Sequence, residues 1–189
     1  METKETRIVD AAFELFYRHG YRKVSMSDIA EASQMSRPTL YATFENKEAI
    51  FAALVLRQRA LNEQATAQRL PAAVGLEAQL ACLFDIWVVE PAASVIDTPN
   101  GIDLMASCAI YAADALADIY TSLETHLAAV LAPALQGSRA MEARDIAYIL
   151  RVATTGIKAS ADNLPALRRV VAGMITMAVA TVRAGATPA

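Results

Sequence analysis

The sequence predicts an all-α fold, and three observations carry that expectation. The 189 residues include only seven Gly and seven Pro, few for a β protein that must turn tightly after every strand. Ala, Leu and charged residues, which are good helix formers, fill the long stretches between those breakers. Apolar residues recur at helical spacing rather than alternating. With 55% hydrophobic and 20% charged residues, the chain has material for a sizeable core, which excludes disorder as its general state.

Ile8, Ala11, Ala12, Leu15 and Phe16 line one face of a first helix. His19-Gly20 closes it, because Gly takes the left-handed C-terminal conformation freely. Ser25-Met26-Ser27-Asp28 is a Ser-x-x-Asp variant of the capping box, and it opens a short second helix with Ile29 and Ala30 inward. That helix gives way at Ser33-Gln34-Met35. Ser36 is a good N-cap for a third helix, whose first turn accepts Pro38 without losing an intrahelical hydrogen bond. The third helix spans about two turns and ends near Phe44, with Leu40 and Phe44 facing inward. Asn46 caps a fourth, beginning Lys47-Glu48-Ala49-Ile50.

Two short helices joined by a tight turn, behind a packing helix, form a helix-turn-helix arrangement. In it the second short helix enters the major groove of DNA and offers its N-terminal residues to base edges. Here those residues are Arg37, Pro38, Thr39 and Tyr41. Arg37 suits a bidentate contact to guanine, worth about 1–3 kcal/mol of discrimination. Pro38 and Thr39 suit thymine methyl groups or a polar contact. A purely structural reading stands beside this one. Ser25, Ser36 and Asn46 serve as caps in any helical protein, Tyr41 as half-buried core, and Arg37 and Lys47 as solvated surface charges.

This stretch, roughly residues 6–55 and about a quarter of the chain, resembles the N-terminal domain of the TetR family of transcriptional repressors. The elements in register are the Ala-Ala…Leu-Phe helix, the Gly before the second helix, Ile29-Ala30, Pro38-Thr39-Leu40-Tyr41, Phe44 and Asn46-Lys47-Glu48. The resemblance implies that Lys47 contacts a phosphate, that Ser25 and Ser27 do likewise, and that Tyr41 reaches the DNA backbone. Helix N-termini favour anions, so the assignments are physically sensible. Two positions depart from the pattern. Gln34 stands where the family often has a turn Gly, so a residue with a side chain is expected at positive φ. Ala42-Thr43 replace an aromatic residue and a His.

Further along, a long helix is expected from Lys47 to about Leu70, ended by Pro71. Gly75 to Val89 gives another, with Leu76, Leu80, Leu83, Phe84 and Trp87 on one face, ended before Pro91. Asp97-Thr98-Pro99-Asn100-Gly101 is a turn signal. One helix then covers about 103–132, with Leu116, Ile119, Tyr120, Leu123, Leu127 and Leu131 on a face that runs to Pro133. Residues 139–160 and 164–184 make the last two helices, bringing the count to about nine. The expected division is 1–47 as a helix-turn-helix DNA-binding domain and 48–189 as an effector-binding and dimerisation domain.

The final pair is apolar nearly all round, which calls for burial on more than one side. The resemblance implies that the second buried side is another protomer, in a four-helix bundle. The candidate dimer residues are Ile146, Ile149, Leu150, Ala153, Ile157, Val170, Met174, Met177 and Ala178; small residues such as Gly156 and Gly173 permit close approach. A two-fold dimer calls for a palindromic operator in double-stranded DNA. The resemblance also implies a small-molecule effector pocket among the middle helices, with Phe84, Trp87, Met105, Cys108, Tyr111 and His126 as candidate lining residues; ordinary core is the alternative for each.

Other classes fit poorly. The longest charge-free runs, Thr125 to Ser138 with Pro133 inside and Val170 to Val182, fall short of the roughly 18 apolar residues of a membrane span, despite a mean hydropathy of +0.30. The N-terminus lacks the pattern of a secretory signal, so a cytoplasmic protein is expected. Cys82, Cys108, His19 and His126 are isolated, so neither a metal site nor a disulfide is expected. There is no GxGxxG, GxxxxGK[ST] or GxSxG motif, and no catalytic constellation, hence no enzyme and no cofactor. Residues 1–50 hold seven Lys/Arg against eight acids. That balance gives weight to an alternative, a TetR-like helical bundle serving as a non-DNA-binding interaction or ligand-binding module.

Overall fold

The computed structural model describes residues 3–136, 141–160 and 163–185, apart from the side chains of Ile102 and residues 157–160. Among the described residues there is no strand, and ten α-helical segments follow one another, one of them a single turn. They form two compact units.

The first unit takes in the chain up to Arg59 and Val95–Asp118. Its N-terminal part holds α1 (Lys4–His19), α2 (Met26–Ala32), α3 (Arg37–Thr43) and the start of α4 (Lys47–Arg69). The apolar face of α1 buries Ile8, Ala12 and Phe16 completely. Ile29 of α2, Leu40 of α3 and Ile50 and Phe51 of α4 are fully buried beside them. Gly20 closes α1 at φ 80°, and a single 3-10 turn, Tyr21–Lys23, leads on toward α2. Both predicted caps form: the side chain of Ser25 accepts from the amide of Asp28, and that of Ser36 from the amide of Thr39. Asn46 accepts from the amide of Ala49 at 2.8 Å and so opens α4.

The turn between α2 and α3 answers the question posed by Gln34, which stands at φ 55°. The amide of Met35 donates to the carbonyl of Ala30 (2.9 Å), and that of Gln34 to Glu31 (3.0 Å). This pair is the Schellman closure, whose geometry requires a left-handed residue whether or not it is Gly. Arg7 of α1 reaches across and donates to the Ser33 carbonyl at 3.0 Å. The same unit contains α7 (Gly101–Tyr111), which starts after turns at Thr98 and Gly101.

The second unit comprises Ala60–Ser94 and the chain from Ile119 on. It holds the latter part of α4, then α5 (Leu76–Phe84), α6 (Glu90–Ala93), most of α8 (Ala113–Ala134), α9 (Ala143–Ser160) and α10 (Leu164–Gly185). Leu80, Leu83, Phe84, Trp87, Leu123, Leu127 and Leu131 are essentially inaccessible. Packed on α5 and α9, α10 buries Leu167, Val171, Met174, Ile175, Ala178, Val179 and Val182. By length and composition α10 would suffice to cross a bilayer, a reading the charge-free run alone does not reach. It nevertheless carries Arg168, Arg169 and Arg183.

Two boundaries differ from the sequence expectation. The helix from residue 76 does not stop before Pro91 but continues to Ala93 through a π turn, Asp85–Val89. There the amide of Glu90 donates to the Asp85 carbonyl, skipping one residue, and this displaced ladder lets the chain absorb a Pro that an unbroken α-helix would resist. The single helix expected over 103–132 is two helices, α7 and α8, parted at Ala112 (φ −141°, ψ 40°). Ala112 is 4% exposed, so packing imposes a break that no Gly or Pro announces.

Candidate nucleic-acid interface

The candidate reading head is α3 with the starts of α2 and α4. Because Leu40 is fully buried and Phe44 nearly so, the helix is oriented with its other side outward. Arg37, Pro38 and Tyr41 are all exposed, Tyr41 at 53%. The bulky side chains that sequence reasoning nominated for base contacts therefore share the solvent face. Thr39 is half-buried, its hydroxyl 2.8 Å from that of Ser36. At the far end the Thr43 hydroxyl donates back to the carbonyl of Thr39 at 3.0 Å.

At the start of α2 the capping box is closed on both sides. The Ser25 amide donates to the Asp28 carboxylate at 2.8 Å, and the Ser25 hydroxyl donates to the same oxygen at 2.7 Å. These bonds hold the Asp28 carboxyl below its ordinary range. Ser25 thus acts as a cap whose donors are both in use, while Ser27 is half-buried in the first turn. A cleft of about 500 Å³ runs beside this corner, lined by Leu15, His19, Lys23, Val24, Asp28, Glu31 and Ala32.

Lys47, at the start of α4, is neither a free surface charge nor disengaged. Its ammonium donates to the carbonyls of Tyr21 (2.9 Å) and Val24 (2.8 Å) and lies 4.2 Å from the centre of the Tyr21 ring. Burial lowers its pKa, partly opposed by the neighbouring Glu48. Tyr21 is 2% exposed, packed against Phe16 and Phe51 with centroids at 5.2 and 4.8 Å, and stacked on Tyr111 at 4.3 Å. Its phenol pKa is pushed well up by burial, reinforced by the Glu48 charge.

Sequence reasoning passed over three basic residues here. Arg22 and Lys23 are exposed immediately before the α2 cap, and Arg7 secures the α2–α3 turn from below. The signal was available for the first two, as adjacent cations beside a capping box; the reach of Arg7 depends on tertiary packing.

The six candidate effector residues divide between the units. In the second, the Trp87 indole is buried and donates to the Thr66 hydroxyl at 2.9 Å, and the His126 ring lies 5.5 Å from it. His126 pairs with the Glu63 carboxylate at 2.8 Å, and Phe84 is wholly buried core. Met105, Cys108 and Tyr111 are half-buried on α7 in the first unit. Among the dimer candidates, Ile149, Val170 and Met177 are 52%, 41% and 66% exposed. Ile146, Leu150, Met174 and Ala178 are buried within the protomer, Ala153 is intermediate, and the side chain of Ile157 lies outside the described residues. No group of three or more metal-ligating side chains occurs among the described residues.

A three-helix head with a capped second helix, a Schellman turn and an outward-facing third helix defines the helix-turn-helix class. Residues 8–54 match the family model described as bacterial regulatory proteins, tetR family. A similar relative is the HTH-type transcriptional repressor ComR of Escherichia coli, 47% identical over 49 residues, which is 26% of this chain and 23% of ComR. The chain therefore matches this relative over only about a quarter of its length. Similar solved structures span nearly all of both chains. The fatty acid degradation regulator FadR from Bacillus halodurans superposes with a TM-score of 0.71 at 19% identity, over 93% of this chain and 95% of its own. Salmonella enterica GusR gives 0.65 at 23% identity, over 95% of each chain. At those identities the likeness is one of fold.

Proposed function

We propose that the protein is a cytoplasmic, ligand-responsive transcriptional regulator of the repressor type, which binds a palindromic operator as a homodimer. The observation that carries this reading is α3: within a TetR-family domain, burial of Leu40 leaves Arg37, Pro38 and Tyr41 facing solvent together. Arg37 would read a base, with Pro38 and Thr39 beside it. Tyr41, Lys47 and the starts of α2, with Ser25 and Ser27, and of α3, with Ser36, would engage the backbone, with Arg22 and Lys23 adding charge. The dimer reading draws support from exposed apolar Tyr148, Ile149 and Val152 on α9 and Val170 and Met177 on α10. A Cβ at Gly156 or Gly173 would meet nothing within 4 Å in the protomer, which leaves room for a close neighbour. A small molecule held in the second unit, beside Trp87 and His126, would release DNA by favouring a state in which the paired heads no longer fit both half-sites. It must bind the two states with different affinity to do so.

A second reading, a TetR-like bundle that binds no DNA, is favoured by the engagement of Ser25 and Lys47 within the chain. A gel-shift titration with the DNA flanking the protein's own gene separates the two. The expected outcome is a specific complex whose affinity falls steeply with salt. Arg37→Ala should weaken that complex about tenfold and relax preference at one position of each half-site, matching about 1–3 kcal/mol per bidentate contact. Absence of any shift by the parent, on this DNA and on operators selected from random sequence, would establish the second reading.

A further inference from the structure

The geometry points to Tyr111, on α7, as a positioning residue for the phosphate contact of Lys47; this rests on the DNA-binding reading above. An ammonium carries three protons. The carbonyls of Tyr21 and Val24 take two of them, at 2.9 and 2.8 Å, so the third is aimed by the other two. Both carbonyls belong to the segment that leads into the cap of α2. Lys47 therefore ties the start of α4 to the start of α2, the two places where backbone contacts are assigned.

What holds that segment is the Tyr21 ring, which is 2% exposed and lies beneath the ammonium at 4.2 Å. Phe16 and Phe51 pack against it from α1 and α4. Tyr111 completes the enclosure by stacking on it at 4.3 Å with the rings 27° apart, and it alone comes from outside the head's own helices. The approach of α7 is fixed at its other end as well. The Asn100 amide donates to the carbonyls of Tyr17 (3.3 Å) and Arg18 (2.8 Å), the exposed end of α1. Thus α7 is pinned at both ends to residues 17–21, and Tyr111 sets where the Tyr21 ring, its carbonyl and the Lys47 ammonium rest. Without the stack the ring gains room to tilt, the carbonyl pair loses its register, and the ammonium turns to water.

The test uses the full chain with Tyr111→Phe, Tyr111→Leu, Lys47→Ala and the double variant Tyr111→Leu/Lys47→Ala. The probe is a duplex carrying the DNA that flanks the protein's own gene, titrated across a range of salt concentrations. Loss of one phosphate contact lowers the slope of log K against log salt by about one per protomer engaged. Tyr111→Leu should weaken binding about tenfold and flatten the slope as Lys47→Ala does; the double variant should be no flatter than Lys47→Ala alone. Tyr111→Phe, which keeps the ring, should match the parent.

A second readout needs no DNA: acetic anhydride labelling of Lys47, followed by mass spectrometry. Labelling should be slow in the parent and Tyr111→Phe and several-fold faster in Tyr111→Leu, with circular dichroism confirming the helical fold. An unchanged slope in Tyr111→Leu, additive slope losses in the double variant, or equal labelling rates would each overturn the proposal. A parent that binds no DNA while its labelling follows the expected pattern would instead refute the DNA-binding reading on which the proposal rests. Should Tyr111→Leu unfold, Tyr111→Met supplies the ringless side chain, with the same outcomes deciding.

Discussion

Gln34 shows how much a single backbone angle settles. At φ 55° it occupies a region where a side chain costs about 1–2 kcal/mol that Gly does not pay. Gly in turn loses more entropy on folding, about 0.4–1 kcal/mol. Gln34→Gly is therefore expected to raise stability by roughly 0.5–1 kcal/mol, read as a higher urea midpoint with unchanged slope. A lower midpoint would mean that the Gln side chain supplies more than the strain removes. Ser25, Lys47 and Tyr21 teach a related lesson. Cap and cation were legible in the sequence as residue types suited to a DNA-facing corner; the Tyr21 ring was not singled out there. The Ser25–Asp28 capping box was legible too, being local, whereas the bonds of Lys47 to two backbone carbonyls and the stack of Tyr21 on Tyr111 were not, because those partners are chosen by the fold.

At the scale of the element, the periodic pattern located helices well and misjudged two of their ends. Pro91 reads as a stop because a regular helix cannot donate from it. The π turn at Asp85–Val89 shifts the ladder by a residue and carries the helix past it. The widened turn sets Trp87, which is 1% exposed, so that its indole N–H meets the Thr66 hydroxyl of α4 at 2.9 Å. Thr66→Val keeps the shape and removes the acceptor. It should cost about 1–3 kcal/mol, the penalty for a buried donor left unpaired. Trp87 is the sole tryptophan, so its fluorescence during urea unfolding reports the effect. A stability equal to the parent's would show that the indole finds another acceptor.

At the scale of the molecule, Val95–Asp118 groups with the N-terminal segment in one compact unit. The proposed dimer is argued at this scale too. Ile149 and Met177 are half-exposed or more, so a charge at either leaves the protomer's core intact and would sit in the proposed seam. Sedimentation is expected to give the parent twice the 20.2 kDa chain mass. Ile149→Asp and Met177→Glu should each raise the dissociation constant at least tenfold, as loss of about 1.4 kcal/mol or more at a buried interface position does. A parent that sediments at single-chain mass would remove the dimer, and with it the palindrome.

Helix class, the capped α2 and α3, the outward face of Arg37 and the left-handed Gln34 were all determined by the sequence itself, because they rest on interactions within a few residues of one another. Periodicity, caps and breakers are local, and local physics is written in order along the chain. The break at Ala112, the course past Pro91, the Lys47 clasp and the stacking of Tyr111 on Tyr21 were decided only by the tertiary structure. Each depends on which distant groups share a buried space, where an unpaired polar atom or an empty volume costs more than a local preference can offset.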